Sequence, residues 1–257
     1  MPGGVGVSTG VMGVSPATSA ILLDHQQVYL RTVRGASAIH GGEYSGLPGF
    51  RFTVVRVGDA NVLLGLIPPY PQAVAEAAIE LYLMGIKNFI AITRGARLGK
   101  RGEGEDRVVA AKAAIPLDGV SSRIAPEGTP LLASAELLRA IVTYAELGGL
   151  RGRMVSGITV TLPSIRSQWS YEAAEEYVGM RDVWTVDSVT APLYALQYPY
   201  VKMNALSIVV AEKSLSPHPR PIETDMRSVE RHAEREIDLI STVLIASIEA
   251  IKTVMGE

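Results

Sequence analysis

Along this chain, unbroken apolar runs alternate with segments whose apolar residues recur every three or four positions. The runs at 19–23, 61–67, 87–93, 108–115, 153–161 and 205–211 have the length and character of strands buried on both faces. RFTVVRV at 51–57 alternates partly with a period of two. Helical spacing marks 72–84, closed by Gly85, and 130–147, closed by Gly148 and Gly149. It recurs at 171–178, in the apolar segment after Ser188, and over a long C-terminal stretch at 222–255. Strands alternating with helices predict a single α/β domain over 19–257. Its core is a mostly parallel twisted central sheet flanked by helices on both faces. Residues 1–18 read as a flexible or extended N-terminal segment. In such sheets ligands bind at the carboxyl ends of strands, so the residues just after each run are the ones to inspect.

Composition narrows the classes. A chain of 257 residues, 47% hydrophobic, can bury one sizeable core. The net charge of -2, with both signs interspersed, gives no basic stripe for nucleic acid. No apolar run is long enough to span a bilayer, and the first residues lack the basic start of a signal peptide. The absence of cysteine removes disulfides, thiolate metal ligands and cysteine nucleophiles. Four scattered histidines lack metal-ligand spacing, so no metal is expected. Arginine outnumbers lysine in an aliphatic chain, a composition that fits a thermophilic source.

The most distinctive segment runs from Val108 to Glu127, VVAAKAAIPLDGVSSRIAPE. It reads as a buried strand that turns at Asp118-Gly119 into a loop rich in serine and proline. Together with the run from Asp187 to Leu196 and the long C-terminal helical stretch, it resembles the nucleoside phosphorylase family, the uridine and hexameric purine enzymes. The resemblance extends from about Ser19 to Met255. It implies phosphorolysis of the N-glycosidic bond of a purine or pyrimidine nucleoside, uridine-type slightly favoured, giving free base and ribose 1-phosphate. It also implies a cytoplasmic pentosyltransferase that uses inorganic phosphate as co-substrate and no cofactor. A dimer-based homo-oligomer, often a hexamer, would complete each pocket from a neighbouring subunit.

Site residues follow from that resemblance. Thr93 and Arg94 fall where the family grips phosphate, and a guanidinium offers paired donors to such an anion. Arg51 matches an arginine donated by a neighbouring subunit. Asp187 and Ser188 fall where the family clamps ribose. Glu212, after the last strand, matches the acid that protonates the leaving base. Arg166 and Gln168 are the residue types that read a pyrimidine edge, with Trp169 available to stack. Plainer readings stand beside these: a solvated basic loop from Arg94 to Arg101, an N-cap at Asp187, and a surface pair of Glu212 with Lys213.

The chain also departs from the family. Where the family has a glycine- and arginine-bearing turn after its first strand, this one has Asp24-His25-Gln26, and a carboxylate there repels phosphate. After the next strand, Pro68-Pro69-Tyr70-Pro71 replaces a turn built of glycine and serine. Two alternatives to phosphorolysis therefore remain open: a hydrolytic nucleosidase, and a non-catalytic nucleoside-binding homologue. Whether Arg94 and Glu212 face one cavity at the strand ends separates the catalytic readings from the last.

Overall fold

The computed structural model describes residues 17–35, 38–43, 50–57, 60–98, 107–165, 168–200, 202–214 and 226–256. In chain order the first elements are β1 (Ser19–Leu23), α1 (Gln26–Gly35), β2 (Ala38–Glu43), β3 (Arg51–Val57), β4 (Ala60–Leu66) and α2 (Pro71–Leu83). Then come β5 (Asn88–Arg97), β6 (Arg107–Pro116), α3 (Ser121–Ile124), β7 (Leu131–Leu132), α4 (Ala135–Leu147) and β8 (Met154–Thr161). The chain finishes with α5 (Gln168–Glu175), β9 (Val183–Asp187), α6 (Thr190–Ala195), β10 (Asn204–Ser214) and α7 (Met226–Met255).

The strands join in one sheet with two parts. On one side β1 runs parallel to both β5 and β4, and β3 and β2 continue outward as an antiparallel pair. On the other side β5 runs parallel to β10 from Asn88 to Arg97. Strand β10 is antiparallel to β6, β6 is parallel to β8, and β8 is parallel to β9. Strand β9 then returns to β5, antiparallel to it at Ala96 and Arg97. Thus β5, β10, β6, β8 and β9 close into a five-stranded barrel.

This corrects the expected architecture. Among the described residues half of the strand pairings are antiparallel, and the sheet curls shut instead of lying as a mostly parallel layer between helices. Two misread segments account for the difference. RGAR, from Arg94 to Arg97, reads as a loop because it is polar, yet it continues β5 to the barrel seam. VWTVD at Val183–Asp187 does not stand out as an apolar run, because Thr185 interrupts it and Asp187 ends it, yet it is the stave that closes the ring. Elsewhere, Leu131–Leu132 pairs with β6 ahead of α4, where a single helix was expected from 130. Residues 1–16 of the expected N-terminal segment lie outside the described residues.

Burial explains the runs. Val108, Val109, Ala110 and Ala111 are fully buried, as an apolar strand covered on both faces must be. On one face, Leu137, Ile141 and Ala145 of α4 and Ile237, Ile240, Val243 and Leu244 of α7 pack with Ile90, Ile92, Leu206 and Ile208. Residues three and four apart on a helix share a face, so these positions form a single stripe. Helix α1 joins the same cluster through Val28 and Tyr29. On another face α2 and α6 pack on Leu22, Phe89 and Ala205. A third cluster sits beneath α5, around Val160, Leu162, Val183 and Val186.

Gly95 is the position on which closure turns. A Cβ there would lie 2.4 Å from Val209 Cγ1 and 2.5 Å from the Val186 carbonyl oxygen. Both are too close for any side chain, so only glycine lets β9 lie against β5. Gly95→Ala should destabilise the fold by about 1–3 kcal/mol through overpacking. At about 2–4 °C per kcal/mol for a chain of this size, thermal unfolding will resolve the loss. An unchanged midpoint would contradict this account of the seam.

Candidate functional site

Strand β5 has more edge than β1 can cover. Strand β1 ends at Leu23, opposite Ile92, and β9 meets β5 only from Ala96. The amide of Arg94 falls in the interval, and Asp24, the residue that follows β1, fills it. The Arg94 N–H donates to Asp24 Oδ2 at 2.9 Å, and the Thr93 hydroxyl donates to the same oxygen at 3.1 Å. The Arg94 guanidinium donates to the Asp24 carbonyl at 3.3 Å, and its Nε lies 3.6 Å from Asp24 Oδ1. Asp24 Oδ1 and Arg94 Nε are both buried, and neither has a hydrogen-bond partner among the described residues.

Two further titratable groups face this pair. Glu236 of α7 places Oε1 4.0 Å from Arg94 Nε and 3.8 Å from His25 Nε2. His25 opens α1: its Nδ1 accepts the Val28 N–H at 3.4 Å and its carbonyl accepts the Tyr29 N–H at 3.1 Å. Burial holds the imidazole pKa below its ordinary 6.5 against the pull of the Glu236 carboxylate. A neutral ring accords with an acceptor at Nδ1. The carboxyl end of β1, against the second half of β5, therefore gathers two carboxyl groups, one guanidinium and an imidazole whose charged form burial disfavours.

Of the residues expected to form a site, Thr93 and Arg94 are brought together here. Glu212 is their neighbour in backbone terms. Strands β10 and β5 pair Val210 with Arg94 and Ala211 with Gly95, and the register then shifts so that Lys213 meets Ala96. Glu212 is the extra residue of that irregularity, at the carboxyl end of the strand beside Arg94. Its side chain lies outside the described residues. Arg51 is exposed at the start of β3, in the register row Ile92, Leu23, Leu66, Arg51. That row puts it three strand spacings away, about 14 Å, so within one chain it does not reach Thr93. Arg166 lies outside the described residues. Gln168 begins α5, and its side chain lies outside the described residues.

Asp187 closes β9, and Val189, not Asp187, holds the N-cap position of α6, although the Asp187 side chain reaches the first turn of that helix. Asp187 is wholly buried, as Ser188 nearly is. Its carboxylate accepts the Thr161 hydroxyl at 2.8 Å and the Thr190 amide at 3.2 Å, as well as the Thr190 hydroxyl. These bonds tie β9 to β8 and satisfy the first turn of α6. The Thr190 hydroxyl also reaches Ser207 Oγ at 2.8 Å, and Thr161 Oγ1 accepts the Ala191 amide at 3.0 Å. Each carboxylate oxygen is thus engaged, Oδ1 by Thr161 of β8 and Oδ2 by Thr190 of α6. Close by, the Tyr194 hydroxyl is inserted into the β10–β6 ladder. It accepts the Ser207 N–H at 2.9 Å and donates to the carbonyl of Ala111, the residue paired with Ser207.

Asp118 and His25 complete the set of polar turns. Asp118 Oδ1 accepts the amides of Val120 and Ser121 at 2.7 and 2.8 Å, and Oδ2 accepts the Ser121 hydroxyl at 2.7 Å. This folds the PLDGVSS turn on itself, with Gly119 at φ +74°. A groove of about 640 Å³ lies between the end of α4 and the start of β8, lined by Val142, Leu147, Leu150, Arg151 and Met154 among others. None of the expected site residues lines it. Among the described residues no cluster of three or more His, Asp or Glu can hold a metal ion. No helix among them is long and apolar enough to cross a membrane. Glu236 gave no signal in the sequence, since its place comes only from the docking of a helix more than a hundred residues distant. Comparison of the sequence with protein-family models and with curated proteins finds no match.

The buried carboxyl makes a test. Burial pushes the pKa of Asp187 from 3.8 up to about 6, against the hydrogen bonds it accepts. The folded chain then holds this proton more tightly than the unfolded chain, so the stability contributed falls as pH rises from about 4 to about 6 and stays low above that range. Urea unfolding of wild type and Asp187→Asn at pH 5 and pH 7 should show wild type gaining about 1 kcal/mol relative to the variant at the lower pH. A difference that does not change with pH would mean that Asp187 is ionised throughout.

Proposed function

We propose that the chain cleaves the N-glycosidic bond of a nucleoside and passes the ribosyl group to inorganic phosphate. One observation carries this reading. In the second half of β5, beside the carboxyl end of β1, a hydroxyl, a backbone N–H and a guanidinium, all from Thr93 and Arg94, converge on a single oxyanionic group. Glu212 stands on the adjoining strand, two residues past Val210, the partner of Arg94. Donors so arranged suit a phosphate oxygen, and charge-assisted bonds to an anion are the stronger kind.

In this scheme phosphate, held by Thr93 and Arg94, attacks the anomeric carbon as the bond to the base loosens and positive charge builds on the sugar ring. Protonated Glu212 donates its proton to the departing base. Arg166 and Gln168 hold the edge of that base. Asp187 is left out of ribose binding in this scheme, since its oxygens are engaged by Thr161 of β8 and Thr190 of α6. Arg51 enters the site from a second subunit in a homodimer-based oligomer. The reaction requires no cofactor beyond phosphate as co-substrate.

A second reading has its own support. The donors of Thr93 and Arg94 are already engaged by Asp24, which favours water as acceptor, and the chain would then be a nucleosidase. Base release from a panel of purine and pyrimidine nucleosides, followed by chromatography with and without phosphate, distinguishes the two. Release that depends on phosphate is expected, and Glu212→Gln should lower kcat about 10²- to 10⁴-fold. Release without phosphate would replace phosphorolysis by hydrolysis. No release from any nucleoside, with folded protein, would leave a binding protein in place of an enzyme.

A further inference from the structure

The donors that could serve a free anion at the end of β5 are spent on a carboxylate of the chain itself. Thr93 Oγ1 and the Arg94 amide meet at Asp24 Oδ2, and the Arg94 guanidinium lies beside Oδ1. The Asp24 side chain is only 3% exposed, whereas that of Arg94 is 38% exposed. The carboxylate is therefore sealed in, and the cation opens to solvent. The pairing is also incomplete. Asp24 Oδ1 accepts no hydrogen bond and Arg94 Nε donates none among the described residues. Asp118 is the contrast, a structural carboxylate whose two oxygens each accept at 2.7–2.8 Å.

Charge completes the argument. An anion approaching Arg94 meets one guanidinium, the carboxylates of Asp24 and Glu236, and a His25 whose burial disfavours its charged form. The balance is repulsive until Asp24 gives way. We infer that Asp24 is an internal anion that competes with phosphate for Thr93 and Arg94, so that phosphate binds only by displacing it. This rests on the reading of that strand end as the acceptor site. Asp24 thereby sets how well phosphate competes with water for the ribosyl group, and it acts through position and charge, without touching the sugar.

The test needs no nucleoside. The full-length wild type, Asp24→Asn and Asp24→Ser are titrated calorimetrically with inorganic phosphate at constant ionic strength, with chloride as control, after their folding is checked by thermal unfolding. Asparagine keeps an acceptor for Thr93 and Arg94 while removing the charge. Serine vacates the place, and it serves alone where asparagine does not fold. Coulomb energies at 4 Å, from bulk water to a protein surface, span about fivefold to about a thousandfold in affinity, and a gain of at least about tenfold over wild type is expected. Adding Arg94→Ala should abolish the gain. Folded variants that bind phosphate no more tightly than wild type would overturn the inference. The two readings can fail separately: tighter phosphate binding without base release sustains this inference and defeats the proposed reaction. Base release that proceeds with no gain in phosphate binding defeats this inference alone.

Discussion

How β5 spends one edge decides the rest of this molecule. Its first five residues are paired with β1, its last two with β9, and the amide between them bonds to the carboxylate of Asp24. An open sheet and a closed barrel thus share a strand, and the changeover leaves a backbone donor that must be satisfied. A side-chain acceptor does this where no strand can reach. The polar, partly open site and the glycine beside it are both consequences of that changeover: Gly95 lets the second partner come in, and Asp24 covers the place the first has left.

Two of the buried aspartates, Asp187 and Asp24, show how the same side chain takes opposite parts. Asp187 has no cation beside it, and its pKa rises because burial outweighs the hydrogen bonds it accepts. It is a fastener for α6. Asp24 sits against a guanidinium, at the boundary between core and solvent, with one oxygen that faces the guanidinium at 3.6 Å and accepts no hydrogen bond among the described residues. Saturated coordination fixes a structure, whereas incomplete coordination next to an accessible cation leaves something for a ligand to contest. That difference in satisfaction, more than burial, separates a structural carboxylate from a candidate functional one.

Much of the fold was legible in the sequence where burial is symmetrical. Strands β1, β3, β4, β6 and β8 and helices α2 and α7 lie close to where apolar runs and helical spacing put them. The sequence failed at the junctions. Arg94 to Arg97 reads as a loop because a strand at a barrel mouth carries polar residues. VWTVD hides because Thr185 interrupts its apolar run, and α1 hides because its apolar residues, Val28, Tyr29, Leu30 and Val33, span barely two turns. The open sheet was therefore visible and its closure was not. At the site, Thr93 and Arg94 could be picked out as residues following a strand, and the Asp24-His25 departure from the family turn was evident. What no local pattern could give was that these two departures satisfy one another, or that Glu236 on a remote helix stands behind them.

The Tyr194 hydroxyl, spliced between Ser207 and Ala111, ties the barrel to the helix that covers it. A ladder bond that runs through a side chain cannot part unless that side chain moves, and Tyr194 belongs to α6. Strands β10 and β6 therefore cannot breathe apart by sliding alone. Helix α6 must lift in the same event, drawing Asp187 from its own hydrogen bonds as it goes. The β10–β6 ladder, the short helix and the buried carboxyl are thereby linked through Tyr194 and Thr190, the physical basis for a single cooperative opening unit.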